Sequence, residues 1–304
     1  MRIVVTGRYG QVATSLVERA PQRRNVEILP IGRPQLDLTD RSSVIGEIVA
    51  ARPDVVISAA AYTAVDRAED EPELAYAVNV RGAAHVAEAT ERIGIPIIHL
   101  STDYVFAGDD KLPYGEDARA APTTIYGLTK LEGERAVARI NPAHVVLRTA
   151  WVYSPFGNNF VKTMLRLARN CGKVRVVCDQ WGNPTSAFDL ADGLLRIAAN
   201  LTGEHFGIFH LAGAGETNWA NFARHIFRVS REHGGPFAEV EEISSSDYPA
   251  KAKRPASSRL SCDKAERFLG WKPRDWRPAS EAVVRRLVHS EDADAPLATQ
   301  PGRA

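Results

Sequence analysis

The sequence has few cysteines, almost no net charge and no long apolar run, and each absence excludes a class of protein. Three scattered cysteines are too few for a disulfide framework or a zinc site, which predicts a reducing, cytoplasmic setting. A formal net charge of +1 excludes a whole-molecule field that would attract nucleic acid or a membrane. No apolar stretch is long enough to span a membrane, and we expect no signal peptide because the first residues already resemble a strand.

The first half of the 304-residue chain alternates short apolar runs with helical patterns. Such alternation predicts right-handed βαβ units, and therefore an α/β fold built on a Rossmann-type, doubly wound parallel sheet. A polar segment with Gly and Pro, 107–122, is predicted to be a loop. The predicted strands are 2–6, 26–31, 54–61, 95–101 and 144–148, and the predicted helices begin near Gln11 and cover 72–93 and 124–140.

The second half is less regular and is predicted to form a smaller lobe. We expect a dinucleotide-binding domain over 1–150 and a substrate-binding lobe over 151–289 that shares the edge of the sheet. Residues 290–304 are rich in Ala, Asp and Pro with little to bury, and we expect a flexible tail there. The predicted elements of the lobe are strands at 173–177 and 207–211 and helices at 187–200 and 218–232.

A glycine-rich turn, residues 6–13, follows the first predicted strand and opens a helix. Gly7 and Gly10 allow a tight bend and the close approach of backbone N–H groups to a phosphate. Ala13 is small enough for the helix to lie close to the strand. An ordinary strand–helix turn is the alternative, but the position at the start of the first βαβ unit favours dinucleotide binding.

Other candidate cofactor residues follow the second and third predicted strands. Small residues at Ala59, Ala60 and Ala61 leave room for a ligand at the carboxyl edge of the sheet, or they simply pack against a helix. Asp37 is a candidate for the adenosine end of the cofactor. Arg33 lies where the 2′-phosphate of NADP would be bound, although a solvated Arg fits equally well. We therefore predict NADPH or NADH, with a preference for NADPH.

Tyr126 and Lys130 are four residues apart and so lie on one face of the helix predicted over 124–140. A cationic Lys beside a phenol favours the phenolate, which makes the Tyr a better proton donor and acceptor near neutral pH. The same spacing occurs in surface helices that have no chemistry. The glycine turn, together with Ser101 and Thr102 at the end of an apolar strand, favours the catalytic interpretation.

Taken in order along the chain, these motifs resemble the extended short-chain dehydrogenase/reductases, and within them the dTDP-4-dehydrorhamnose reductases. Matching stretches run through most of the chain. Three strings are more specific to these reductases: Ala-Tyr-Thr-Ala-Val-Asp at 61–66, Ser-Thr-Asp-Tyr-Val-Phe at 101–106 and Asp-Gln-x-Gly-x-Pro-Thr at 179–185. The chain departs from the usual pattern at Ala13, Ser58, Ala150 and Ser154, where Gly, Asn, Ser and Gly are common.

The resemblance implies a biosynthetic oxidoreductase that transfers hydride from NAD(P)H to C4 of a 4-keto-6-deoxy sugar attached to dTDP, giving dTDP-L-rhamnose. It implies three catalytic residues. Tyr126 would donate the proton to the developing alkoxide, and Thr102 would hold the ketone oxygen in line. Lys130 would lower the pKa of Tyr126 and bind the nicotinamide ribose.

Binding residues are implied by the same matched stretches. The expected cofactor-binding residues are Gly7, Gly10, Gln11, Val12, Asp37, Leu38, Ala59, Ala60, Ala61, Tyr62, Thr63, Tyr126 and Lys130. The expected substrate-binding residues are Val65, Asp66, Thr102, Asp103, Tyr104, Trp151 and Arg254. An aromatic ring suits the C–H face of a deoxy sugar, and a carboxylate suits its hydroxyl groups.

Alternative functions share this fold. Related 4,6-dehydratases carry Asp-Glu directly after the Thr, whereas here Asp103 precedes Tyr104, so the second carboxylate is missing and simple reduction, rather than dehydration or epimerisation, is favoured. A non-catalytic NADP-binding regulatory subunit, like the β subunit of methionine adenosyltransferase, is opposed by the intact catalytic set. Reduction of another nucleotide-linked 4-keto deoxysugar stays open.

The sequence has no recognisable metal site. His99, His210 and His225 lack partner spacing and are predicted to be satisfied core histidines. Some family members bind Mg²⁺ through glutamates at a dimer interface, but such ligands cannot be placed here, and we predict no metal. The expected partner is a small-molecule nucleotide sugar, with no nucleic acid and no membrane, and a homodimer is left open.

Overall fold

A six-stranded parallel sheet lies at the centre of the protein in a computed structural model that describes residues 1–290. Within these residues the strands are β1 Arg2–Thr6, β2 Glu27–Ile31, β3 Val55–Ser58, β4 Ile97–Thr102, β5 His144–Thr149, β6 Val152–Tyr153, β7 Lys173–Val177, β8 Trp181–Gly182, β9 Thr185–Ser186, β10 Gly207–His210, β11 Thr217–Asn218, β12 Glu239–Ile243 and β13 Ser257–Ser258. The helices are α1 Gln11–Arg19, α2 Arg41–Ala51, α3 Val65–Ala68, α4 Pro72–Tyr76, α5 Gly82–Arg92, α6 Ile125–Ile140, α7 Phe160–Asn170, α8 Ala187–Ala199, α9 Trp219–Glu232, α10 Asp263–Leu269 and α11 Trp276–His289. The predicted α/β fold is confirmed.

The order of the strands creates a switch point beside the glycine turn. Across the sheet the order is β10-β5-β4-β3-β1-β2, and neighbouring strands are parallel. From β1 the chain winds to β2 on one side and through β3, β4 and β5 on the other. Ligands of open α/β sheets bind at the carboxyl ends of the strands where the winding direction reverses. In this sheet that position lies between the ends of β1 and β3.

Helices cover both faces of the sheet because its strands are apolar on both sides. In β1, Ile3 and Val5 belong to one buried cluster, with Leu16 of α1 and Leu194 of α8. The intervening Val4 points to the opposite face and belongs to a second cluster, with helices α2 and α5. Burial on both faces is characteristic of parallel sheets whose crossovers are helical.

The second half of the chain forms its own apolar cluster and also returns to the large sheet. Helices α7, α9 and α11 pack around Phe222, Ile226 and Val284, which are fully buried. Strand β10 leaves this region and pairs with β5, with Gly207 opposite Val145. The predicted division of the chain near residue 150 stays a prediction.

Three expectations from the sequence concern membrane spans, metal sites and the end of the chain. None of the helices in the described part of the chain is long and apolar enough to cross a membrane. Within residues 1–290, no group of three or more His, Cys, Asp or Glu side chains is placed to hold a metal ion. The predicted tail, 290–304, lies outside the described residues apart from Ser290.

Candidate active site

The glycine turn forms an open, positively polarised end of helix α1. Gly7 has a φ of 97°, a left-handed conformation that favours glycine, and its N–H donates to the carbonyl of Ile31 at 2.7 Å. Gly10 precedes α1, and among the described residues no side chain caps the first turn of the helix. A Cβ at Gly10 would meet no described atom within 4 Å. Free N–H groups, the helix dipole and open space together fit a phosphate group.

The ends of β1 and β3 are joined by a side chain that sequence analysis did not single out. The hydroxyl of Thr6 accepts hydrogen bonds from the backbone N–H groups of Ala59 and Ala60, each at 3.0 Å. Gly7 lies directly against Ala60, since a Cβ at Gly7 would be 3.5 Å from the Ala60 Cβ. Thr6 therefore fixes the width of the crevice between two predicted cofactor-binding segments.

Tyr62, another predicted cofactor residue, is held by Asn79. The buried Asn79 amide accepts from the Tyr62 N–H at 2.8 Å and donates to its carbonyl at 3.1 Å. The same amide donates to the Thr129 hydroxyl on α6 at 3.1 Å. The Tyr62 phenol donates to Glu71 at 2.6 Å. Asn79 therefore fastens the loop after β3 to the helix that bears Tyr126.

Asp37 and Leu38 form a structured turn after β2. The Asp37 carboxylate accepts from the Thr39 N–H at 2.9 Å and from the Thr39 hydroxyl at 2.7 Å. Burial raises the pKa of Asp37, but these hydrogen bonds and the charge of Arg33 outweigh it, so that the pKa falls below its ordinary value. Leu38 is buried against Gly82, where a larger residue would meet its Cβ. An ionised Asp37 near Arg33 is compatible with an adenosine-binding role.

Gln11 connects the glycine turn to the second half of the chain. Its side-chain oxygen accepts from the Ser154 hydroxyl at 2.9 Å and from the Asn159 amide at 3.0 Å. Its amide nitrogen donates to the carbonyl of Val152 at 3.3 Å. The side chain of Gln11 is thus occupied by β6 and the segment that follows it. A phosphate would therefore be bound by the backbone N–H of Gln11 and not by its side chain. The remaining predicted cofactor residues, Val12 and Ala61, are half-buried, and Thr63 is exposed.

A glycine allows Tyr126 to approach the segment after β4. Thr124 caps helix α6 by accepting from the N–H of Gly127 at 3.0 Å. Any side chain at Gly127 would overlap the carbonyl oxygen of Tyr104. The rings of Tyr104 and Tyr126 consequently meet edge to face, with their centroids 5.4 Å apart. The structure therefore brings together residues that the sequence separates by about twenty positions.

Tyr126 and Thr102 are neighbours, and the pKa of the phenol is raised, whereas the sequence predicted that a nearby Lys130 lowers it. Burial raises the pKa of Tyr126 well above its ordinary value, and Asp103 and Tyr104 raise it further, while a hydrogen bond with Thr102 lowers it. Thr102 also donates to Asp103 at 3.0 Å and accepts from the Tyr104 N–H at 3.2 Å. Tyr126 is therefore a neutral phenol at neutral pH.

The ammonium of Lys130 is held by two groups of strand β4. Its Nζ donates to the carbonyl of Leu100 at 2.6 Å and lies 3.2 Å from His99 Nε2. Burial lowers the pKa of Lys130 to about 8, and the carboxylate of Glu134 opposes this effect. Both groups that hold the ammonium belong to β4, so the lysine bridges α6 and the sheet.

The predicted substrate-binding residues Asp66, Tyr104 and Arg254 form one cluster. Arg254 Nη2 donates to Asp66 Oδ2 at 2.6 Å, and Arg254 Nη1 donates to the Tyr104 hydroxyl at 3.4 Å. The backbone N–H of Ala252 donates to Asp66 at 3.2 Å. Burial, followed by the charge of Asp103, raises the pKa of Tyr104 to about 12. Val65, the first residue of α3, directly precedes Asp66 in the chain and is half-buried.

Asp103 is a buried carboxylate at the carboxyl end of β4. The residue is 4% exposed, and burial raises the pKa of its carboxyl group to about 6, although hydrogen bonds with Ser258 and Thr102 oppose the rise. A carboxylate with this pKa changes its charge close to physiological pH, which is a feature of functional sites.

Trp151 has a strained backbone and a fixed side chain. Its φ of 47° is unusual for a bulky residue and occurs where β5 gives way to β6. The indole stacks on Trp219, with ring centroids 3.4 Å apart and planes 9° from parallel. A Cβ at Gly182 would lie 2.5 Å from the indole, so glycine is required there. No sequence pattern links Trp219 to Trp151, 68 positions earlier.

Comparisons with known proteins give a matching family model, similar relatives and similar solved structures. Residues 1–289 match the family model described as the RmlD substrate binding domain. A dTDP-4-dehydrorhamnose reductase of Sinorhizobium fredii is 49% identical over 95% of this chain and 98% of its own. The structure of a Clostridium acetobutylicum dTDP-4-dehydrorhamnose reductase superposes with a TM-score of 0.89 at 36% identity, covering 94% of this chain and 99% of that one. A Bacillus anthracis dTDP-4-dehydrorhamnose reductase in complex with NADP has a TM-score of 0.87 at 34% identity, with coverages of 93% and 98%.

Proposed function

This chain belongs to the RmlD substrate-binding-domain family, and on that premise we propose that it reduces the C4 ketone of dTDP-4-dehydro-L-rhamnose to dTDP-L-rhamnose with NADPH or NADH. The observation that carries the proposal is the grouping of Thr102, Tyr126 and Lys130 around the carboxyl end of β4, beside the open glycine turn. A cofactor site, a proton donor and a substrate cluster then lie along one edge of the sheet.

The cofactor fits the residues around the switch point. The N–H groups after Gly10 would bind its diphosphate, and Asp37 would bind the adenosine ribose. When bound, NADPH supplies the hydride that C4 of the sugar accepts. Lys130, with two of its N–H groups already engaged by β4, would offer the third to the nicotinamide ribose.

The raised pKa of Tyr126 suits a reductase. A phenol that is protonated at neutral pH can donate its proton to the oxygen at C4 as that oxygen gains negative charge. Together with the hydride, this proton would convert the ketone to an alcohol and leave the cofactor oxidised. Thr102 would hold the same oxygen by a hydrogen bond, which aligns the carbonyl with the proton donor.

The cluster around Arg254 supports binding of a nucleotide sugar. Its guanidinium is a planar fork that suits a diphosphate, and Asp66 holds it at 2.6 Å. Asp103 would accept hydrogen bonds from the sugar hydroxyls, and Trp151 would contact the apolar face of the deoxy sugar. The sugar itself, a homodimeric assembly and a cytoplasmic location stay predictions.

A coupled assay tests the proposed reaction. dTDP-4-dehydrorhamnose is generated in place from dTDP-glucose by the upstream dehydratase and epimerase, and the oxidation of NADPH and of NADH is followed by absorbance. We expect oxidation that requires this protein and the epimerase, with dTDP-rhamnose as the product. Tight NADPH binding without oxidation would contradict the proposed substrate.

A further inference from the structure

A buried chain of three polar side chains runs inward from the lysine of the site. Lys130 Nζ lies 3.2 Å from His99 Nε2, and His99 Nδ1 lies 3.1 Å from Ser58 Oγ. Each of the three residues is only 2% exposed. The chain joins helix α6 to the two strands β4 and β3, and solvent does not reach it.

The hydrogen-bonding capacity of these groups fixes the direction of the chain. A lysine ammonium has three N–H donors and no acceptor, so His99 Nε2 must accept when Lys130 is charged. His99 is then neutral, with its proton on Nδ1, which donates to the Ser58 hydroxyl. Burial lowers the pKa of His99 well below its ordinary value and the charge of Lys130 lowers it further, which agrees with a neutral ring.

Two of the three ammonium donors are therefore occupied inside the protein. The carbonyl of Leu100 takes one, at 2.6 Å, and His99 Nε2 takes the second. Because the two acceptors are adjacent on β4, they restrict rotation about the terminal bond of the lysine and leave one donor for another group. Loss of the longer contact, with His99 Nε2, would free the ammonium to rotate, while its hydrogen bond to the carbonyl of Leu100 would remain.

We propose that His99 is a positioning residue, which holds the Lys130 ammonium so that its remaining N–H is available to the cofactor, while the Ser58 hydroxyl accepts from Nδ1 and holds the ring in place. The inference rests on the proposed function, in which Lys130 binds the nicotinamide ribose. It revises the interpretation of His99 as a core histidine with no role at the site. The charged or titratable groups that face Lys130 are His99 of β4 and Glu134 of α6.

Two substitutions of similar size separate positioning from core packing. The side-chain oxygen of Gln reaches the place of imidazole Nε2, whereas Asn reaches only that of Nδ1. H99Q therefore keeps an acceptor for Lys130, and H99N keeps only the contact with Ser58. We expect H99N to weaken NADPH binding about tenfold, the effect of losing one hydrogen bond to a charged group, and H99Q to stay within about threefold of the parent.

The binding of NADPH is measured directly, by fluorescence titration, together with thermal unfolding and the pH profile of turnover. In H99N a desolvated Lys130 loses an acceptor, so its pKa falls and the alkaline limb of kcat moves to lower pH. In H99Q the limb stays in place. Thermal stability reports any loss of core packing in both variants.

The outcomes are distinct. Weaker NADPH binding and a moved alkaline limb in H99N, restored in H99Q, support the proposal. Equal NADPH binding in both variants and the parent overturns it, and so does an equal loss in both that follows lowered thermal stability. NADPH titration needs no sugar substrate, so the two variants can be compared even if the parent fails to reduce dTDP-4-dehydrorhamnose. That failure would overturn the proposed function alone.

Discussion

The backbone of Gly127 lies against the carbonyl of Tyr104 more closely than any residue with a Cβ allows. We expect Gly127→Ala to push helix α6 away from the segment after β4, lowering both the thermal stability and kcat, with a cost of about 1–3 kcal/mol for overpacking. Unfolding in denaturant and steady-state turnover measure the two effects.

Gly46 in helix α2 is the matched control, because a Cβ there would meet no described atom within 4 Å. Gly46→Ala should raise the free energy of unfolding by about 0.5–1 kcal/mol through helix propensity. If Gly127→Ala also raised the free energy of unfolding and left kcat unchanged, close packing of α6 against Tyr104 would be required neither for stability nor for turnover.

Tyr126→Phe should lose turnover while keeping cofactor affinity, because only the proton donor is removed. We expect kcat to fall by about 10²–10⁴-fold, the usual contribution of general acid catalysis, with NADPH binding nearly unchanged. Turnover and fluorescence titration measure these separately. Tyr76→Phe, at an exposed position on α4, is the control. Turnover close to that of the parent would exclude Tyr126 as the proton donor.

Arg254→Lys tests the fork that Asp66 holds. A lysine keeps the charge but lacks the planar pair of donors, so KM for the nucleotide sugar should rise by about tenfold or more while KM for NADPH stays unchanged. Arg224→Lys is a control, since Arg224 forms an exposed ion pair with Glu242 at 2.6 Å. A rise in KM for NADPH instead would assign Arg254 to the cofactor.

Asp103→Asn should raise the free energy of unfolding while lowering kcat/KM. Burial raises the pKa of Asp103 from 3.8 to about 6, so the folded state holds the proton more tightly than the unfolded state does. Stability is therefore lost as pH rises between these values, and at neutral pH the loss is about 3 kcal/mol, since one unit of pKa corresponds to about 1.4 kcal/mol.

The substitution removes that loss, so the gain in unfolding free energy should be greatest at neutral pH and should shrink as the pH falls from about 6 towards 4. Denaturant unfolding over this range measures it. A gain that does not depend on pH would show that ionisation of Asp103 is not the cause. We also expect kcat/KM to fall, because an amide is a poorer acceptor for sugar hydroxyls.

The sequence predicted those parts of the fold that local patterns control. Each predicted strand of the first half is present to within a few residues, and the predicted helix at 72–93 occurs as α4, a π-helical turn at Ala77–Arg81 and α5. Helix α2 was not predicted, since Gly46 and two serines weaken its pattern. Helices α7, α10 and α11 were missed, although the buried residues of α7, Val161, Met164, Leu165 and Ala168, recur at helical spacing.

In the candidate site, too, the sequence predicted what local patterns control and missed what tertiary packing controls. Thr102 and Tyr126 could be paired from strand-end and helix positions, because both follow from the βαβ arrangement. The contacts of His99 with Lys130 and of Asn79 with Tyr62 could not, since each depends on a side chain buried by tertiary packing. The raised pKa of Tyr126 has the same origin, because spacing predicts a shared helix face but not the burial of the phenol beside Asp103 and Tyr104.

The most direct measurement is the fate of the hydride. With NADPH that carries deuterium at both hydrogen positions of nicotinamide C4, and dTDP-4-dehydrorhamnose formed in place, NMR of the product locates the label. We predict deuterium at C4 of the rhamnosyl unit in the parent, and the same position with a far lower yield in Tyr126→Phe. Product without deuterium at C4, or NADPH bound but not consumed, would contradict reduction of the C4 ketone by this protein.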